Sequence, residues 1–223
     1  MTRTAIIAAL PGELAPLVRG WKHQRQNGVQ LWHHRDENLY VAACAGMGQA
    51  AATRAFAAVE ADAPIDLVFS VGWAGALNSS IAAGSAHNVA GVIDVRTGER
   101  FRCDAGAGSF WLATSPRVAN GTEKQRLANT YGAALVDMEA AAIARLAKMR
   151  EIPFYSLKGV SDPLDAEMPD FNPFITADGR LQAARFALYA LMHPRYWPAL
   201  LRMGDNSKKA SQSIAESLVE FLR

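Results

Sequence analysis

Val136–Ala144, with the sequence VDMEAAAIA, decides the fold of this chain. It passes from a short apolar segment into an Ala-rich helical one, and Glu139 stands at the change. A second acid, Asp162, follows the next apolar run, Pro153–Val160. In an open α/β sheet, ligands bind in the crevice beyond the carboxyl ends of the strands. We therefore predict that Glu139 and Asp162 face one crevice, with one acid of the Asp137/Glu139 pair left to cap the helix.

Outward from this stretch, apolar runs alternate with helical segments along the chain. Strands are predicted at 4–10, 29–33, 39–45, 67–72, 88–95, 110–113, 134–136 and 153–160. Helices are predicted at 13–18, from the 46–48 turn to about 61, and at 120–131, 139–149, 178–192, 197–203 and 207–221. This order predicts an α/β fold with a hairpin early in the chain. The 223 residues suit a single domain spanning 1–223.

Composition narrows the classes of function. Lys and Arg number 23 against 21 Asp and Glu, and no basic stripe is interleaved with aromatics, so we expect no nucleic-acid partner. Cys44 and Cys103 lack a metal-binding spacing and are predicted to be buried thiols. We expect neither a metal nor a cofactor. No apolar run reaches the roughly 20 residues of a membrane span, and Pro11-Gly12 interrupts the N-terminal run, so a cytoplasmic protein is expected.

Two glycine-rich turns follow predicted strands. The stretch from Gly46 to Ala51 matches the dinucleotide fingerprint, but the next strand ends in Gly72-Trp73-Ala74-Gly75 without the acid that would hold a ribose diol. This counts against an NAD enzyme. The glycines at 46 and 48 serve either tight packing or close approach of a ligand to backbone N–H groups. The 72–75 turn likewise serves either as a tight turn or as a ligand contact.

Together these segments resemble the nucleoside phosphorylase superfamily, and within it the methylthioadenosine/S-adenosylhomocysteine nucleosidases. The matching segments occur in the family's order and cover most of residues 1 to 165. The Met-Glu-Ala helix start and the Ser-Asp strand end are the specific part. The segments are Ala8–Glu13, Gly46–Gly48, Ser70–Gly75, Val136–Ala144 and Lys158–Asp162.

The resemblance implies a three-layer α/β/α fold with a central mixed sheet, and cleavage of the N-glycosidic bond of a purine nucleoside. Asp162 would protonate N7 of the leaving purine, with Ser161 holding it. Glu139 would bind the ribose hydroxyls with Met138 packing on the sugar, and Glu13 would orient or deprotonate the attacking water. We expect Glu139 to stay ionised and burial to keep Asp162 protonated. Substrate contacts are further predicted for Gly48, Trp73, Ala74, Gly75, Val118 and Lys158.

Departures from the family's pattern refine the reaction. Phosphorylases of this superfamily hold phosphate with arginines in the first loop and three residues before the Ser of the glycine turn. Ser70 stands at the second of these places, and Trp73 replaces the hydroxyl residue. Water is therefore predicted as the nucleophile, with a phosphorylase as the alternative. Lys158 stands where the nucleosidases carry an arginine. Trp73 and Lys158 also leave open a non-catalytic nucleoside-binding protein of the same fold.

The segment between Val95 and Ser109 is much shorter than in the methylthioadenosine enzymes, which implies a more open pocket for the 5′ substituent. A similarity to the hopanoid-associated branch would make an adenosyl-hopane the substrate. The stretch His193–Leu201 is amphipathic and is a candidate for transient membrane-surface contact. The resemblance also suggests a homodimer. Pro163–Pro173, which follows Asp162, is predicted to be a lid over the site.

Overall fold

The computed structural model describes residues 2–35, 39–104 and 108–221. Ten strands are present in this part of the chain: β1 (Thr4–Ala8), β2 (Lys22–Gln26), β3 (Val29–His33), β4 (Tyr40–Cys44), β5 (Leu67–Ala76), β6 (Ala86–Asp94), β7 (Arg100–Arg102), β8 (Phe110–Thr114), β9 (Leu135–Asp137) and β10 (Phe154–Asp162). The helices are α1 (Pro11–Leu14), α2 (Gln49–Asp62), α3 (Gly121–Tyr131), α4 (Ala140–Met149), α5 (Ala183–Met192) and α6 (Trp197–Phe221), with short 3-10 helices at Asn172–Phe174 and Pro194–Tyr196.

All ten strands form one mixed sheet. β1 lies between β4 and β5 and is parallel to both, while β2, β3 and β4 form an antiparallel edge. Beyond β1, the strands β5, β10, β6, β8 and β9 pair in sequence, and β9 pairs back onto β5, so this part of the sheet closes into a ring. The predicted α/β fold with a central mixed sheet is confirmed.

Helices cover both faces of the sheet because successive buried side chains of a strand point to opposite faces. In β1, Ala5 and Ile7 pack in the cluster that contains residues of α2 and α4. Ile6 and Ala8 pack in the cluster that contains Leu14 of α1 and the buried side of α6. Strands buried on both faces read as continuous apolar runs, which is why the sequence located them well.

The C-terminal helices were the main error in the predicted elements. α5 begins at Ala183, five residues later than predicted, because 176–182 forms a turn and an Ile175–Leu181 bridge. The two helices predicted at 197–203 and 207–221 are one helix of 25 residues, α6. The helix continues through Gly204 and the gap between the two predictions, and it packs on β10 and β5. Between the strands predicted at 88–95 and 110–113, the Gly-rich stretch 104–108 falls partly outside the described residues, as does 35–38 between the strands predicted at 29–33 and 39–45.

Candidate active site

A pocket of about 270 Å³ lies where β5, β9 and β10 end, with α1 and the 163–175 loop on its rim. The structure brings nine of the eleven predicted site residues to its wall: Glu13, Trp73, Ala74, Gly75, Val118, Met138, Glu139, Ser161 and Asp162. The predicted lid also contributes, through Ala166, Met168, Pro169, Asp170 and Phe171. Gly48 and Lys158 are outside this wall.

Glu13 lies on α1 and is only 4% exposed. Its Oε2 accepts hydrogen bonds from the backbone N–H groups of Ala9 and Leu10, both at 2.8 Å, and its Oε1 accepts one from Trp73 at 2.8 Å. Burial raises the pKa of Glu13, against the opposing effect of these backbone donors. A side chain at Gly72, where φ is +136°, would place its Cβ 2.8 Å from Glu13 Oε1, so glycine is required for the carboxyl to fit.

Asp137 and Glu139 divide the two roles predicted for this pair. Asp137 Oδ2 accepts the backbone N–H of Ala140 at 2.9 Å, which satisfies a donor of the first turn of α4. Glu139 instead points toward the pocket, where its Oε1 accepts the Gly48 N–H at 2.6 Å. Gly48 therefore acts through Glu139 in this structure, and the glycine turn that resembled a dinucleotide fingerprint holds a carboxyl group.

Burial, reinforced by the nearby charges of Asp137 and Glu13, raises the pKa of Glu139 to about 8. These surroundings oppose the ionised form of Glu139 that the sequence predicted, whereas the Gly48 N–H and the Lys158 charge favour it, so its ionisation stays a prediction. Desolvation penalises the charged form of a buried acid, and neighbouring carboxylates add to that penalty. The sequence could place three acids at one crevice but not weigh their mutual repulsion.

The raised pKa of Glu139 predicts a pH dependence of stability. Because the folded state holds this proton more tightly than the unfolded state, its stabilising contribution is complete below the unfolded value of about 4.5 and is lost as the pH rises through about 8. We expect the stability of the wild type to fall more steeply between pH 5 and pH 9 than that of Glu139→Gln. The slopes of the free energy of unfolding should differ by up to about 1.4 kcal/mol per pH unit, and the Tm should follow. Thermal melts across this range measure it. The exposed Glu220→Gln is the control, and parallel curves for wild type and Glu139→Gln would contradict the prediction.

Asp162, at the end of β10, has partners that the sequence did not indicate. Its Oδ1 accepts the hydroxyl hydrogen of Ser161 at 2.6 Å. Its Oδ2 forms an ion pair with Nζ of Lys124, which also donates to the Pro163 carbonyl at 2.7 Å. The sequence predicted burial as the environment of Asp162 and did not indicate a buried ammonium group in contact with its carboxylate.

Lys158 does not reach the pocket wall. It is 1% exposed, and its Nζ lies 3.0 Å from Asp137 Oδ2 and 3.0 Å from the Ser70 hydroxyl. Thr114 donates its hydroxyl hydrogen to the other oxygen of Asp137 at 2.7 Å. Lys158 thus balances a buried carboxylate behind the site, so the substrate contact predicted for it is not available in this arrangement.

The remaining predicted residues take part in the site mainly through their backbone N–H and carbonyl groups. Trp73 uses its N–H on Glu13, while its indole N–H donates to the Ser211 hydroxyl at 2.9 Å on α6, so its ring joins α6 to the site. The peptide groups of Val118 are already bonded. Its N–H donates to Oδ1 of Asn172 at 2.9 Å, and its carbonyl accepts from Nδ2 of Asn172 at 3.0 Å.

The sequence analysis missed two residues of the site: Lys124, which lines the pocket, and Asn172, which bonds to the lining residue Val118. The sequence contained a signal for Lys124. It lies three residues before Leu127 on α3, so both side chains lie on the same, buried face of a helix whose other side is exposed. No local pattern indicated Asn172, since its contact with Val118 spans 54 residues. Among the described residues, no group of His, Cys, Asp and Glu could hold a metal ion.

Solved structures share this fold over nearly the whole chain. A futalosine hydrolase of Helicobacter pylori superposes with a TM-score of 0.75 at 14% identity, covering 97% of this chain and 95% of that one. The Arabidopsis thaliana 5′-methylthioadenosine nucleosidase gives 0.74 at 19% identity, with 100% and 96% covered. A Colwellia psychrerythraea methylthioadenosine/S-adenosylhomocysteine nucleosidase in complex with adenine gives 0.74 at 16% identity, with 99% and 94% covered.

No curated protein sequence matches the chain. A family model described as the phosphorylase superfamily matches residues 95–191, which include Glu139 and Asp162. The resemblance to the phosphorylase superfamily inferred from the sequence motifs is therefore confirmed over residues 95–191. The solved structures show that the fold is shared over nearly the whole chain.

Proposed function

We propose that this protein hydrolyses the N-glycosidic bond of a purine nucleoside and releases the free base. The observation that carries the proposal is the arrangement of Glu13, Glu139 and Asp162 around one pocket, each held by different partners. Cleavage of this bond requires three catalytic roles: stabilisation of positive charge on the sugar, activation of the nucleophile, and protonation of the leaving base. Three separately held carboxyl groups can fill them.

In this mechanism, Glu139 lies at the ribose, with Met138 against the sugar. As the C1′–N9 bond breaks, both of its electrons go to the base and positive charge develops on the sugar, which favours an ionised Glu139 beside it. Glu13 accepts a proton from the water that attacks C1′; burial raises its pKa, which makes its carboxylate a stronger base than an exposed one. Asp162, oriented by Ser161, delivers a proton to N7 of the base.

Water is favoured over phosphate as the nucleophile. Within the described part of the chain, the cations lining the pocket are Arg117 and Lys124. Both are already paired, Arg117 with Glu123 at 3.1 Å and Lys124 with Asp162. A phosphate ion beside Glu13 would meet a carboxyl group and no unpaired cation there, so its binding would be opposed by charge.

The contact between Val118 and Asn172 supports adenine as the base. The carboxamide of Asn172 offers an acceptor to the Val118 N–H and a donor to its carbonyl. The N1 and N6 edge of a 6-aminopurine offers the same pair, one acceptor beside one donor. Adenine could thus bond to the Val118 peptide groups in place of Asn172, with the 163–175 loop withdrawing to admit it.

For the 5′ substituent, we propose that a large group such as that of an adenosyl-hopane is admitted as well as a methylthio group. Large apolar side chains are exposed around α5 and the start of α6, next to the pocket residues Leu181 and Met203: Leu188, Leu191, Met192, Trp197 and Leu201. This surface fits the expected homodimer contact or transient membrane-surface contact; sedimentation of the protein with and without lipid vesicles separates the two.

Within the described ranges, no helix is long and apolar enough to cross a membrane. The cytoplasmic location stays a prediction.

The proposed reaction predicts release of adenine without phosphate. Chromatography of adenosine, 5′-methylthioadenosine, S-adenosylhomocysteine and a 5′-alkyl adenosine after incubation with the protein should show free adenine and free sugar, with a rate that changes less than about twofold on adding phosphate. Inosine, with a 6-oxo base, is the matched substrate for base selection and should react at least about tenfold more slowly. Phosphate-dependent formation of a sugar 1-phosphate would establish the phosphorylase instead. Tight nucleoside binding without any base release would establish a binding protein.

A further inference from the structure

Lys124 is the pocket residue with the most unusual surroundings. It lies on α3, yet it is only 3% exposed, and lysine is rarely buried without a charged partner. Its Nζ contacts Asp162 Oδ2 and the Pro163 carbonyl. A Cβ at Gly75 would come within 3.0 Å of Lys124 Cε and 3.2 Å of Asp162 Oδ2, so a glycine at the end of β5 leaves the space in which the pair forms.

This ion pair determines where the exchangeable proton lies before reaction. In an ammonium–carboxylate pair the proton belongs to the nitrogen, so Asp162 has none of its own to give while the pair is intact. The leaving purine is a poor anion until it is protonated. A proton must therefore reach Asp162 before or during bond cleavage. Two groups in contact with its carboxylate carry one, the Ser161 hydroxyl and the Lys124 ammonium, and the ammonium is by far the stronger acid.

We propose, on the basis of the function above, that Lys124 is the proton donor to Asp162 and that the two groups protonate the base in relay. A base in the pocket displaces water from the ion pair, and a drier pair is less stable relative to its neutral form. Asp162 then passes its proton to N7 as the C1′–N9 bond breaks, while the Lys124 ammonium gives a proton to Asp162 and becomes a neutral amine. The water that attacks C1′ gives its proton to Glu13. When the products leave, Glu13 releases its proton to solvent and Lys124 regains one from solvent, so protons and electrons balance.

A lysine–arginine comparison separates a proton donor from a merely structural cation. Arginine keeps the positive charge but is not deprotonated in proteins, whereas methionine keeps much of the length without charge. We expect both Lys124→Arg and Lys124→Met to lose about 10²- to 10⁴-fold in kcat/KM for adenine release, mostly in kcat. Both should retain, within about threefold, the hydrolysis of 4-nitrophenyl riboside, whose leaving group departs without a proton. Glu13→Gln is the matched control and should lose activity on both substrates.

The activity of Lys124→Arg on the nucleoside is the deciding readout. Recovery of adenine release by Lys124→Arg to within about tenfold of the wild type would overturn the proposal, because charge alone would then suffice. Circular dichroism and thermal melts check that each variant is folded. A wild type that releases no base from any nucleoside overturns the proposed function and the relay together; an active wild type with active Lys124→Met overturns the relay alone.

Discussion

Asp162→Asn should lower kcat/KM for adenine release by about 10³-fold while leaving the fold intact. Asparagine has the shape of aspartate but cannot accept and pass on a proton, so the leaving purine would depart as an unfavourable anion. A loss confined to the proton step appears in kcat, with KM changed little. The measurement is adenine release under single-turnover conditions, with a thermal melt to confirm folding.

The matched variant for this prediction is Ser161→Ala. Ser161 touches Oδ1 of Asp162 at 2.6 Å and also lies 3.3 Å from the Ala74 carbonyl, so its removal loosens the carboxyl without removing it. A loss of about tenfold is expected, well below that of Asp162→Asn. If Asp162→Asn retained adenine release within tenfold of the wild type, Asp162 would not be the group that protonates the base.

The sequence predicted the fold well where strands are buried on both faces. The runs that became β1, β5, β6 and β10 are rich in apolar residues and bounded by turn residues, so their position was predictable. The short pieces β2 and β7 were missed. β2 is exposed along its whole length and carries the polar sequence KHQRQ, so no hydrophobic pattern distinguishes it from a loop. Its strand conformation comes from pairing with β3, a tertiary contact.

The residues that make up the candidate site could be predicted from the sequence, but the arrangement of their charges could not. Glu13, Glu139 and Asp162 stood at predicted turns and strand ends, and all three line the pocket. Their ionisation depends on distances between segments far apart in sequence. Lys124 meets Asp162 across 38 residues, and Gly48 meets Glu139 across 91. Proton assignments could therefore not be argued from the sequence, although the residues themselves were brought together.

Lys158→Met should destabilise the protein by about 3–5 kcal/mol, because it leaves Asp137 as a buried charge without its cation. Asp137 would keep its bonds from Thr114 and the Ala140 N–H, but neither supplies a positive charge. Urea unfolding measures the change.

The double variant Lys158→Met/Asp137→Asn removes both charges and should recover at least about half of the loss, whereas two independent effects would add. Lys208→Met, an exposed lysine on α6, is the control and should change stability by less than about 0.5 kcal/mol. A loss below about 1 kcal/mol for Lys158→Met would mean that Asp137 is neutral or solvated, and that Glu139 is not subject to the repulsion from Asp137 that contributes to its raised pKa.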